Sequence, residues 1–181
     1  MDTEQTFADK RDVVANNCAY FDDMVSELVT HHTAGLDGLM ADIETEIINV
    51  PDPPVIKIEH YFMKLSADIY WIGSQMEYLG IRDDVSEMLA KEVFNTEYLT
   101  QQDVNKDKKL TSATLIALAE NKAQYDTVLN SIYSRVYKTV KFKVEAADRM
   151  CSTLSKVLSR RMQEMSYPAP TDALGRRILN E

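Results

Sequence analysis

The sequence predicts an all-α fold: a long C-terminal helix packed on a helical pair, an N-terminal helical arm, and assembly into a helical oligomer. Three observations carry this expectation. The chain has only five Gly and five Pro in 181 residues, which favours long helices with few turns. It is 45% hydrophobic and 27% charged, enough apolar content to bury a core. The stretch from about Leu110 to Met165 holds neither Gly nor Pro, the residues that most often end a helix.

Residues 1–6 read as a frayed start. From Phe7 to Thr33 the pattern fits an amphipathic helix with Val13, Val14, Cys18, Phe21, Val25, Leu28 and Val29 turned inward. His31-His32-Thr33 and Gly35 are expected to end it. Gly35-Leu36-Asp37-Gly38 resembles the GxxG clamp of an RNA-binding module, but that module needs flanking strands, so a turn between helices is the reading. Leu36 to Ile48 follows as a short acidic helix with Asp42, Glu44 and Glu46. Residues 1–48 thus form an acidic helical arm.

Asn49-Val50-Pro51-Asp52-Pro53-Pro54-Val55 breaks the helical pattern, and residues 49–56 read as a stiff, extended linker. The main helical domain spans 57–166. Its first helix carries Ile58, Phe62, Leu65, Ile69, Ile72, Met76 and Leu79, with aromatic bulk from Tyr61, Tyr70 and Trp71 expected in the core. Gly80 reads as a stop, with Asp83 or Asp84 capping a following helix from Val85 to Leu99 that holds Met88, Leu89, Val93 and Tyr98. Residues 100–109 form a polar loop. Asp103, Asn105 and Asp107 copy half of a calcium loop, but Lys108 stands where the turn Gly is needed and Thr114 where a bidentate Glu is needed. No metal site is expected. Thr111 suits a helix N-cap.

The long helix repeats apolar residues at Leu118, Tyr125, Leu129, Ile132, Val136, Val140, Val144, Ala147, Cys151, Leu154, Leu158, Met162 and Met165. On a helical wheel its opposite side gathers Arg135, Lys138, Arg149, Lys156 and Arg160 into an arc of about 60°, together with Phe142. No Asp or Glu falls in that arc, although Glu145 and Glu164 flank it. Arg135 to Arg160 spans roughly 37 Å of helix. Such a row is either the solvated outer face of a core helix or a track for a polyanionic strand, with Phe142 as a stacking group. After Ser166, Tyr167-Pro168-Ala169-Pro170 breaks the helix, and 167–181 is read as a tail.

Charge is divided unevenly. Residues 1–106 hold 7 basic and 21 acidic side chains, and residues 107–181 hold 13 and 8, within a net charge of −9. A basic working face, with an acidic half that contacts partners or keeps the assembly soluble, is the implied arrangement. Cys18 and Cys151 form no metal-ligand pair. The polar, acidic opening shows no signal peptide and no stretch reaches the ~20 apolar residues of a membrane span, so a cytoplasmic protein without membrane contact is expected. No di-iron helix motif, HExxH, phosphate-binding glycine loop or nucleophile elbow is present. The expectation is therefore a non-enzyme, with no catalytic residues and no cofactor.

Leu154-Ser155-Lys156-Val157-Leu158-Ser159-Arg160 resembles the C-terminal helix of the bacteriophage recombination mediators, the UvsY-like family, where a helix ends in a similar Leu-x-x-aliphatic-x-Ser-Arg run. The similarity covers about residues 57–165. It implies a small helical subunit that forms a ring, binds single-stranded DNA, displaces the single-strand binding protein and helps load a recombinase in the host cytoplasm. It adds Ser159 to Arg160 and the neighbouring basic positions as DNA contacts. The arm 1–48 has no counterpart in that pattern, and the chain is more acidic. The alternative is a structural or interaction protein, a virion component or phage accessory factor, with the long helix as an oligomer seam.

Overall fold

The computed structural model describes residues 3–106 and 110–166, with side chains from Cys18 onward. Helix α1 runs from Thr3 to Ile43 and passes into a π-helical turn, Glu44–Ile48; α2 spans Val55–Val104 and α3 spans Ser112–Ser166. No strand occurs among the described residues, so the chain is all-α as its sequence predicts. The turn closes with the Asn49 amide donating to the Glu44 carbonyl at 3.0 Å. The break lies between Ile48 and Val55, so α2 begins two residues before the expected start of the main domain at 57, and the Pro54 carbonyl accepts the amides of Lys57 and Ile58. Thr111 caps α3: its Oγ1 accepts from the Thr114 amide at 3.3 Å and its carbonyl from Leu115 at 3.1 Å. With 55 residues, α3 is roughly 80 Å long.

Two expected helix ends do not occur. Gly35 and Gly38 lie inside α1, and Gly80 lies inside α2, so neither pair of neighbouring helices is split there. Each internal Gly costs about 1 kcal/mol against Ala, and burial of flanking apolar residues outweighs that. Leu36 and Leu39 are buried beside the first two, and Leu79 beside the third. At Gly80 the Tyr137 ring lies over the helix, and an added Cβ would meet its Cε2 at 3.6 Å.

The described helices divide into two compact units, each drawing on all three helices. The first comprises, among the described residues, 3–34, 71–106 and 110–144. Its core holds Val29 and Thr33 of α1, Ile72, Leu79, Ser86 and Ala90 of α2, and Leu115, Ala119, Ala123, Ile132, Val136 and Val140 of α3. Small residues at the α2 and α3 positions let backbones approach closely. Polar groups in this core are bonded: Thr33 Oγ1 donates to the Val29 carbonyl at 3.1 Å and accepts from Lys143 Nζ at 3.1 Å. The Ser86 hydroxyl lies within hydrogen-bond reach of the Asp83 carbonyl (2.8 Å) and Asn130 Oδ1 (3.1 Å).

The second unit comprises, among the described residues, 35–70 and 145–166. Leu36, Leu39, Ile43, Ile47, Ile58, Tyr61, Leu65, Ala147 and Leu154 fill its core. At its edge Tyr61 Oη donates to Glu46 Oε2 at 2.7 Å, and Lys57 Nζ reaches the same oxygen at 2.9 Å. Arg161 Nη2 meets Asp52 Oδ1 at 2.6 Å, tying the proline-rich connector to the last turns of α3. The tail lies outside the described residues, as do Asp107 and the side chains of Val13 and Val14.

Several residues expected inside are outside. Cys18, Tyr70, Trp71, Val85, Met88 and Leu89 are exposed, as are Leu118, Tyr125, Met162 and Met165 of the α3 stripe. Near its start α3 buries Leu115, Ala119 and Ala123 instead, one ridge round from Leu118 and Tyr125.

Candidate nucleic-acid interface

The outer face of α3 follows from its inner one. Burying Ile132, Val136 and Val140 in the first unit, and Ala147 and Leu154 in the second, turns the positions across the helix axis toward solvent. All of the basic-arc residues are exposed, as is Phe142.

In the first unit the arc supplies Arg135, Lys138 and Phe142. Phe142 is 68% exposed, an apolar ring held in water on a cationic face. Arg135 Nη1 stands 3.7 Å from Asp22 Oδ1 of α1. Both side chains are about two-thirds exposed, so solvent screens the pair and it is worth a fraction of a kcal/mol at most. Asp22 is nonetheless an anion that α1 brings to a ridge whose own sequence lacks one.

In the second unit the arc supplies Arg149, Lys156 and Arg160. Arg160 Nε donates to Glu164 Oε1 at 3.0 Å, a pairing one turn along the helix. Lys138, Arg149 and Lys156 have no ion-pair partner among the described residues, so their charges face solvent. Ser159 is exposed, but its hydroxyl donates to the Ser155 carbonyl at 2.9 Å. Thr153 donates likewise to Arg149 at 3.0 Å, and Ser131 in the first unit to Thr127 at 2.9 Å. These hydroxyl protons are used within the helix. A phosphate accepts but does not donate, so cations rather than hydroxyls are the groups this face offers it.

Sequence reasoning missed Phe62. It joins Cys151, Ser152, Ser155 and Lys156 around a shallow hollow in the second unit, which sets an α2 aromatic near an unpaired α3 cation. No spacing in the sequence links positions so far apart. Arg161, adjacent to the arc residue Arg160, is instead partly buried and committed to Asp52.

Comparison with protein-family models, with curated proteins and with solved structures finds no match.

Proposed function

We propose that this chain is a recombination mediator of the phage type: a non-enzymatic helical subunit that binds single-stranded DNA as a homo-oligomer and helps load a recombinase. The observation that carries the reading is that α3 exposes cations in each unit: Lys138 in the first and Arg149 and Lys156 in the second are unpaired among the described residues, and Arg135 and Arg160 are only weakly engaged. The similarity of residues 154–160 to the mediators supports it. Phosphates would pair with these cations, and Phe142 would stack on a base.

The test is fluorescence anisotropy of a labelled oligo-dT at low and physiological salt, on protein whose mass is set by light scattering. Salt-sensitive binding by an oligomer is the expected result. Absence of binding at low salt sinks the reading. A second reading, an interaction or structural protein without DNA, is favoured by a separate observation: α2 exposes a row of large apolar residues. Its partner contacts would persist as salt rises, because burial of apolar surface is not screened.

A further inference from the structure

α2 is apolar on two opposite sides. Within the first unit, Ile72, Leu79, Ser86 and Ala90 face its core, yet Tyr78 is 70% exposed, Ile81 56%, Val85 43% and Met88 59%. The exposed set steps by three, four and three, which is the a/d spacing of a heptad. The apolar run is bounded by Ser74 at the preceding d position and by Glu92 and Asn95 at the next a and d positions, before exposed Leu99. The buried residues fall at b and f, the outer positions of the same frame. A lone surface helix needs one apolar stripe; this one carries a second with coiled-coil periodicity, which no described residue covers.

We propose that this face of α2 is a self-association seam, on which a second copy of the chain docks its own α2 in parallel. Three features select that occupant. The seam is self-complementary, because identical a and d residues meet in a parallel pair. The flanking charges match: Glu77 at g stands opposite the partner's Arg82 at e, and symmetry makes the contact twice. In the reversed direction, centred on the Ile81–Val85 segment, e–e and g–g contacts replace this pair and bring like charges such as Glu77 and Asp84 together. The area lies at the low end of specific interfaces. Closing the seam over Tyr78, Ile81, Val85, Met88 and Leu89 removes up to roughly 600 Å² per copy, approaching the ~800 Å² per partner of a stable interface. Each α2 is already folded against its own unit, so no helix must form at the moment of pairing.

The proposal specifies the homo-oligomer part of the reading above and requires no DNA. Its test is the mass of the full chain by light scattering under reducing conditions, without nucleic acid. Wild type is expected to run as a dimer or a multiple of it. Ile81→Glu with Met88→Glu is expected to halve the mass or more while far-ultraviolet circular dichroism stays unchanged, since both side chains are exposed. Glu77→Arg is expected to weaken association several-fold, and Glu77→Arg with Arg82→Glu to restore it. A monomeric wild type, or an undiminished mass in the double glutamate variant, overturns the seam. Failure of the charge swap to restore association overturns the parallel pairing. DNA affinity plays no part in these readouts, so their failure is distinct from failure of the DNA reading.

Discussion

Reversing two charges on α3, Arg149→Glu with Lys156→Glu, tests the proposed DNA-binding face at two exposed cations that have no ion-pair partner among the described residues. Single-strand binding that neutralises Z phosphates has a salt slope of about −0.7Z. If only Lys138, Arg149 and Lys156 contribute, because Asp22 and Glu164 hold Arg135 and Arg160, the slope per subunit is about −2. If all five cations contribute, it is about −3.5. Between about 50 and about 200 mM salt, these slopes cost roughly 20-fold and roughly 100-fold in affinity respectively. The wild-type slope therefore reports whether the two weak ion pairs open on binding. The double variant removes two contacts and flattens the slope by about 1.4 per subunit, beyond the affinity it loses at low salt. Both residues are exposed, so stability should move by no more than about 0.5 kcal/mol. The assay is anisotropy across a salt series, with urea unfolding as the control. An unchanged slope and affinity in a folded double variant refutes the argument.

Other consequences of the packing are equally open to measurement. Gly80→Ala should stabilise by about 0.5–1 kcal/mol, because the helix continues through it and the new methyl meets Tyr137 at ordinary contact distance; destabilisation in urea would mean a helix end there after all. Leu65→Ala should cost about 2–5 kcal/mol in the same assay, since Leu65 is fully buried in the second unit; a cost under about 1 kcal/mol would show that the core is not packed as described. The Tyr61 hydroxyl is pushed up to about 12, chiefly by its hydrogen bond to the Glu46 carboxylate, and the Tyr61 and Lys57 contacts hold Glu46 below its ordinary value. The raised tyrosine contributes stability that is complete below its unfolded value near 10 and lost as pH climbs toward 12. The depressed carboxylate contributes stability present above 4.5 and lost as pH falls below it. Ultraviolet titration should show a late tyrosinate transition in wild type that moves to lower pH in Glu46→Gln; an unmoved transition would separate Tyr61 from Glu46.

The sequence carried the fold class well because α3 has nothing to interrupt it, and the Pro51–Pro54 break and the Thr111 cap are local features with local causes. Its failures share one cause. Gly35, Gly38 and Gly80 look like stops when weighed alone, but tertiary burial of Leu36, Leu39 and Leu79 offsets their cost. On α2 the helical spacing predicts the apolar residues inside as a group, whereas in the first unit they split between two opposite sides. Periodicity shows that a stripe exists, not whether anything covers it. The anions that reach the α3 ridge were likewise hidden. Glu164 was legible as a neighbour four residues on, but Asp22 arrives from another helix, over a hundred positions away.

The two proposed surfaces answer a difficulty that neither resolves alone. A chain of net charge −9 with, among the described residues, three exposed α3 cations that lack an ion-pair partner is a poor match for DNA as a monomer. Joining copies repeats that face along one strand, and each contact after the first becomes intramolecular, with effective concentrations in about the mM range for a well-matched span. Avidity can then exceed single-site affinity by about 10²–10⁴ without any new contact. The seam variant, Ile81→Glu with Met88→Glu, should therefore lose DNA affinity although every α3 cation is intact. The charge variant, Arg149→Glu with Lys156→Glu, should lose DNA affinity while keeping its mass. Short oligonucleotides that span one subunit should bind the wild type and the seam variant alike, whereas long ones should separate them. If the seam variant is monomeric yet keeps full affinity for long strands, multivalency is not the source of binding, and the basic face of a single chain must suffice.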